Sequence, residues 1–293
     1  MKFFTWGTLL CLIFGCGVPE HVFALSSSSV QTKKPLRLYF SRKSGSITVR
    51  FHKQTSVFLK KTDESGQVPY DIRKSGQRVD IVPSHRTFSI DAVTVWAPYG
   101  SRLFLKTLGK VKIFPGARSV DVYALDSIDV QGVSGGVKVQ TVSGSIVLKQ
   151  VGPAKVISVA GDIEVRDVKG DLSVRTVSGD VTIERVNGAS FRGKTVSGNL
   201  TLTQMQVSSV LARSFSGNVQ FTGGSAQFKK GSFQAYSGDL SVTWRRGLPV
   251  PHIKTSTSVG DVDIPTFSAK QQRQGQFVFR TQTGNISWGI SKK

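Results

Sequence analysis

The sequence predicts an all-β protein: a single-stranded β-solenoid, β-helix or β-roll-like, of about 18 residues per coil behind an N-terminal β-rich cap. Three observations predict it. One phrase recurs almost unchanged, as "TVSGSIVL" at Gly144, "SVAGDIEV" at Gly161, "TVSGDVTI" at Gly179 and "TVSGNLTL" at Gly198. Aligned on that glycine, a ladder runs from Gly109 through Asp126 to Gly284, with successive spacings of 17, 18, 17, 18, 19, 19, 21, 22 and 24 residues. Within a copy, Val177, Val181 and Ile183 alternate with Ser178, Thr182 and Glu184, and a period of two marks a strand with one buried face.

Residues 1–24 read as an export signal. Lys2 supplies a positive start, Phe3 to Phe14 is an apolar run too short to span a bilayer, and Val22-Phe23-Ala24 precedes a serine-rich stretch. Cleavage after Ala24 gives a soluble exported chain beginning at Leu25. The competing reading takes Leu12-Ile13-Phe14-Gly15-Cys16 as a lipobox, with Cys16 as the lipid anchor of a membrane-attached lipoprotein. Cys11 and Cys16 are the only cysteines of the chain, so removal of the leader after Ala24 leaves no thiol for a disulfide, a metal or catalysis.

Residues 25–34 are expected as a disordered lead-in. Residues 35–105 hold short alternating runs, among them "LRLYF", "SITVRFH", "RVDIV" and "RLFLK", parted by turn signals such as Lys43-Ser44-Gly45-Ser46 and Pro98-Tyr99-Gly100. They are read as the cap, and "SGSITV" at Gly45 already mimics the repeat. The solenoid is assigned to residues 106–293. A weaker echo at Gly135 and Gly170, about half a period off the main ladder, gives each coil two strands and two turns. Glycine admits positive φ at the turn, and the Asp or Asn after it bonds nearby backbone. Coils stacked in this way share a continuous apolar column that no single coil buries alone.

The "TVSGDVTI/TVSGNLTL" ladder and the lead-in Val95-Trp96-Ala97-Pro98-Tyr99-Gly100 resemble the bacterial putative-adhesin family of β-solenoid domains, over about residues 35 to 290. The resemblance implies the architecture; the biochemical function of that family is unknown. This chain departs from the acidic character of such repeats, with Ser145, Asn199, Asn218 and Asn285 where Asp is usual.

Catalytic chemistry finds no support in the residues. Asp162, Asp171, Asp180, Asp239 and Asp261 stand singly at turns, without the paired acids of glycoside cleavage or the Gly/Asp density of a calcium roll. His21, His52, His85 and His252 lack ligand spacing, and no Gly-x-Ser-x-Gly elbow occurs. Neither metal nor cofactor is expected, and no enzyme, with a polysaccharide-processing activity kept as the remote alternative.

Charge is the informative property. The chain carries 39 Lys and Arg against 18 Asp and Glu, a formal charge of +21. Residues 25–123 account for +12 and residues 124–293 for +9, so the excess runs the whole length. Four residues before successive ladder glycines lie Arg175, Lys194 and Arg213, then Gln234, and later Arg280. In register, the first three form a column of cations that a polyanion relieves of its mutual repulsion. Trp244-Arg245-Arg246 offers a second candidate, an aromatic beside two cations. The function expected is therefore an exported scaffold of the periplasm, cell surface or exterior. It would bind an anionic polysaccharide or envelope polymer through Arg175, Lys194, Arg213, Trp244, Arg245 and Arg246. The alternative is an envelope signalling or assembly protein that works through protein contacts. No specific nucleic acid is expected, and a membrane only if Cys16 is lipidated.

Overall fold

A computed structural model describes residues 29–31, 36–41, 45–61, 70–83, 92–267 and 272–291. The expected leader, with Cys11 and Cys16, lies outside the described residues, as does His85. The described residues form 25 strands and no helix.

Each coil lays one strand in each of two sheets. Ser119–Ala124 enters the first sheet and Ile128–Val133 the second. The next coil repeats the move, with Val137–Ser143 stacked parallel on the former and Ile146–Val151 on the latter. Cα partners step by 17 residues from Val120 to Val137 and by 19 from Phe191 to Val210. Two long strands, Val181–Ser197 and Leu200–Ser216, pass from the second sheet into the first without a break.

The interior is built from columns. Val120, Val137, Ala154, Leu172 and Phe191 of the first sheet are buried together with Ile128, Ile146, Ile163, Val181 and Leu200 of the second. Each fully buried Val, Leu or Ile is worth about 1.5–3 kcal/mol, and stacking supplies that burial coil after coil. Toward the C-terminus the columns turn aromatic: Phe221, Phe233, Phe277, Phe279, Trp244 and Trp288 are all buried. Glycine takes the inward position where a ring fills the space. A Cβ at Gly231 would lie 2.4 Å from Cδ1 of Phe277.

Three ladders lock the corner that carries the repeated phrase. Its glycines hold φ between 117° at Gly179 and 141° at Gly284. A Cβ at Gly198 would also lie 2.2 Å from the carbonyl oxygen of Gly179 one coil away, so conformation and space both demand glycine. Behind the glycines runs a buried column of small polar residues. Thr176 Oγ1 donates to the Ser178 carbonyl at 3.0 Å and Thr141 Oγ1 to that of Asp126 at 2.8 Å. Beyond the glycines, Asp180 Oδ1 accepts the backbone N–H of Asn199 at 2.7 Å, and Asn199 Oδ1 that of Asn218 at 3.0 Å. These acids and amides therefore serve as backbone acceptors between coils.

The same corner corrects the assignment of Val177. Leu172, Val174 and Thr176 point inward, while Val177 is exposed. Inward residues are even-numbered before the corner and odd-numbered after it, at Val181 and Ile183, because the turn through Gly179 shifts the phase by one residue.

Stacking in sequence order would place the coils of Gly238, Gly260 and Gly284 one after another. The structure instead threads the last coil between the two before it. Gln272–Thr283 pairs with Lys230–Ser237 on one side and Val250–Val259 on the other, and Ile286–Ile290 lies likewise between Leu240–Trp244 and Val262–Asp263. Apolar content explains the exchange. The threaded coil buries Phe277, Phe279, Ile286 and Trp288, whereas the outer one leaves Val259 and Val262 exposed.

The N-terminal end is built in the same way. Arg37–Ser41 and Ile47–His52 lie between the coil of Arg78–Pro83 and Val93–Pro98 and that of Arg102–Thr107 and Val111–Ile113. The expected cap thus contributes two coils of the stack, and the boundary drawn at residue 105 falls inside the strand Arg102–Thr107. Capping itself falls to antiparallel strands: Tyr70–Ser75 on Arg78–Pro83, and Ser56–Lys61 on Val93–Pro98. Within the expected disordered lead-in, Ser29–Gln31 is a strand, because the edge of Ser56–Lys61 offers it backbone partners.

Candidate polyanion-binding face

Outward positions of the two sheets differ in charge. From Arg102–Thr107 to Gln272–Thr283, the first sheet presents Arg102, Lys106, Lys138, Lys155, Arg175, Arg192, Lys194, Arg213, Lys230 and Arg280, all exposed. Asp121, the one acid among those described outward positions, approaches Lys138 at 3.4 Å. The second sheet pairs part of its own charge: Lys112 meets Asp129 at 3.8 Å, and Arg166 meets Glu164 at 2.7 Å and Glu184 at 3.4 Å, while Lys149 has no acidic partner among the described residues. On the next strands of this sheet the outward residues are uncharged, as in Thr201, Thr203, Gln220 and Thr222.

Backbone register brings the predicted cation column together. Arg175 is the Cα partner of Lys194, Lys194 of Arg213, Arg213 of Gln234 and Gln234 of Arg280. The first three stand about 4.8 Å apart along the stack. None of them pairs with an acid among the described residues, so three neighbouring cations share one line of solvent. Each such contact repels by about 1 kcal/mol in bulk water before screening. An anion laid along the line removes that repulsion.

Beside the cations the corner leaves apolar residues uncovered. Val159, Val177, Val196, Phe215 and Tyr236 occupy equivalent places on successive coils, with Phe215 56% and Tyr236 50% exposed. Their two rings stack at 4.7 Å and 5°. Between this ribbon and the cations, Thr176, Thr195 and Ser214 form the floor of an open depression of about 600 Å³.

Trp244, Arg245 and Arg246 lie elsewhere. Trp244 is 1% exposed and stacks on Trp288 at 5.9 Å, so its ring is a core residue and unavailable to a ligand. It points inward because it closes an inward column after Met205 and Gly223. Arg245 and Arg246 are exposed at the opposite corner, with Arg245 N–H donating to the Gly223 carbonyl and Arg246 N–H to Ser291 Oγ. Cys16 lies outside the described residues.

One ion pair marks that opposite corner. Asp167 and Arg185, on adjacent coils, both hold a left-handed backbone, at φ 58° and 55°. Arg185 Nε donates to Asp167 Oδ1 at 2.6 Å and Nη2 to Oδ2 at 3.2 Å. These hydrogen bonds hold the Asp167 carboxyl below its ordinary pKa and raise that of Arg185.

Residue counting along the chain missed the sorting of charge to one sheet and the apolar ribbon. Both follow from which parity points outward on each side of Gly179. The run Leu172, Val174, Thr176 carried that signal, and the more conspicuous Val177 obscured it.

Residues 106–285 match the sequence profile of the Toastrack DUF4097 family. None of the curated proteins matches the chain. Among solved structures, it is similar to a putative adhesin from Bacteroides fragilis, with 13% identity, a TM-score of 0.36 and coverage of 89% of this chain and 95% of that one. A putative adhesin from Parabacteroides merdae gives 12% identity and a TM-score of 0.25, covering 89% and 96%. A putative cell adhesion protein from Clostridium sporogenes gives 9% identity and a TM-score of 0.19, covering 91% and 99%.

Proposed function

The chain belongs to the Toastrack DUF4097 family, and we infer that it acts as an exported, non-enzymatic, adhesin-like scaffold that binds an anionic glycopolymer along its first sheet. One observation carries the reading: Arg175, Lys194 and Arg213 stand in register, exposed and without acidic partners among the described residues. A linear polyanion has charges repeated along its length and meets such a line at several points together. The contacts release counterions, so affinity falls steeply with salt. On the second sheet Lys149 and Arg166 are neighbours, but Arg166 already meets Glu164 and Glu184, so no comparable run of three unpaired cations forms among its described residues.

The test is binding to a sulfated or phosphorylated polysaccharide at low and physiological salt. Replacing Arg175, Lys194 and Arg213 together by Gln weakens binding and leaves thermal stability intact. Replacing Lys112, Lys149 and Arg166 on the second sheet removes the same charge from the wrong face. Equal losses from the two triple variants would show that only net charge matters. No loss from either would move the protein-contact reading ahead.

A further inference from the structure

The apolar ribbon is left unexplained by a soluble polyanion. Val159, Val177, Val196, Phe215 and Tyr236 form an unbroken line over five coils, about 19 Å at the usual strand separation. Phe215 stays 56% exposed even with Tyr236 stacked against it, and covering the remainder would be favourable. The line runs beside Arg175, Lys194 and Arg213, across a floor of buried hydroxyls, so one wall of the depression is apolar and the other basic.

We propose that the first sheet docks on the surface of an anionic phospholipid bilayer, with this ribbon seated at the boundary between headgroups and acyl chains. Charge complementarity favours a surface as occupant, because the cations are spread over a sheet face, from Lys138 and Lys155 through Arg192 to Arg280, well beyond a single groove. Polarity favours lipid. Apolar side chains flanked by Lys and Arg seat in an interface by burying the former while the latter meet phosphates. Geometry agrees: the Asp and Asn ladder lies past the corner glycines, so turning the first sheet toward lipid carries the acids Asp162, Asp180 and Asp239 away from it. The inference goes beyond the glycopolymer reading and needs no lipid attachment at Cys16.

Residues 25–293, which include every described strand, are sedimented with phosphatidylcholine vesicles, with and without a third of phosphatidylglycerol. Binding is expected only to the anionic vesicles. Phe215→Ser with Tyr236→Ser lowers vesicle affinity about tenfold and leaves affinity for a soluble polysaccharide polyanion within about twofold. The Arg175, Lys194 and Arg213 to Gln variant loses on the order of 100-fold on vesicles. Phe215→Trp gives a readout independent of folding losses, since quenching of its emission by brominated acyl chains reports contact with the hydrocarbon. Wild-type binding that ignores phosphatidylglycerol, a ribbon variant that binds vesicles like wild type, or an unquenched Trp would each overturn the bilayer proposal. The glycopolymer reading is judged separately, on the polysaccharide arm.

Discussion

The Asp239 carboxylate accepts the backbone N–H of Asn285 at 2.7 Å, across 46 residues of sequence. Asn285 Oδ1 in turn accepts the N–H of Asp261 at 2.9 Å. Two hydrogen bonds thus record the exchanged order of the last two coils, and they make the exchange testable. Asp239→Ala leaves an inner N–H without its acceptor and costs about 1 kcal/mol. No described residue donates to the Asp261 side chain, so Asp261→Ala stays within about 0.5 kcal/mol. Urea denaturation of the two variants reads the difference, and a cost at Asp261 comparable to that at Asp239 would mean that the coils stack in sequence order.

Glycine is required unequally. Gly198→Ala combines φ of 131° with a Cβ 2.2 Å from the Gly179 carbonyl oxygen. The coils must part to admit it, at a cost of at least about 3 kcal/mol. Gly76→Ala, at φ 60° with open space around it, costs about 1–2 kcal/mol from backbone conformation alone. Melting temperatures compared side by side decide it, and similar losses would refute the close contact between coils.

The phase shift at the corner predicts a pattern over three neighbours. Val181→Asp places an unpaired carboxylate in the core and costs several kcal/mol. Thr182→Asp and Val177→Asp, both pointing to solvent, are mild, within about 1 kcal/mol. A Val177→Asp protein as unstable as Val181→Asp would show that the corner does not change phase.

Asp167 predicts a pH dependence. Its folded pKa is depressed, chiefly by the hydrogen bonds from Arg185. The stability it adds is therefore present above its unfolded pKa of about 3.9 and lost as pH falls through the lower folded value. Asp167→Asn is expected to be less stable than wild type at neutral pH, with the gap closing below about pH 4. Denaturation midpoints at both pH values check the sign. A gap that persists in acid would assign the effect to packing at the left-handed corner.

Much of the molecule was legible in the sequence because its signals are local and repeated. Gly144 to Gly217 announce the corner, and a fixed spacing turns one strand into a stack. The column of Arg175, Lys194 and Arg213 followed from the same register and stands where counting placed it. Legibility failed where the outcome depends on competition between distant segments. Nothing near Gly260 says that the coil holding Phe277 and Trp288 will outbid it for the inner place. Trp244 failed for a related reason: beside two arginines it reads as a surface residue, and only its place in the column behind Met205 and Gly223 makes it core.

The threaded ends change how the rod is able to form. A simple stack grows vectorially, each rung settling on the one just made. Here the coil of Val250–Val259 has no seat until Gln272–Ile290 has arrived between it and Lys230–Ser237. A chain emerging N-terminus first, from a ribosome or a translocation channel, must keep that outer coil waiting until the later segment is free. Closure of this end of the stack thus lags behind emergence of the strands it closes, and a rod lacking Gln272–Ile290 would lose the seat of its outer coil as well as a rung.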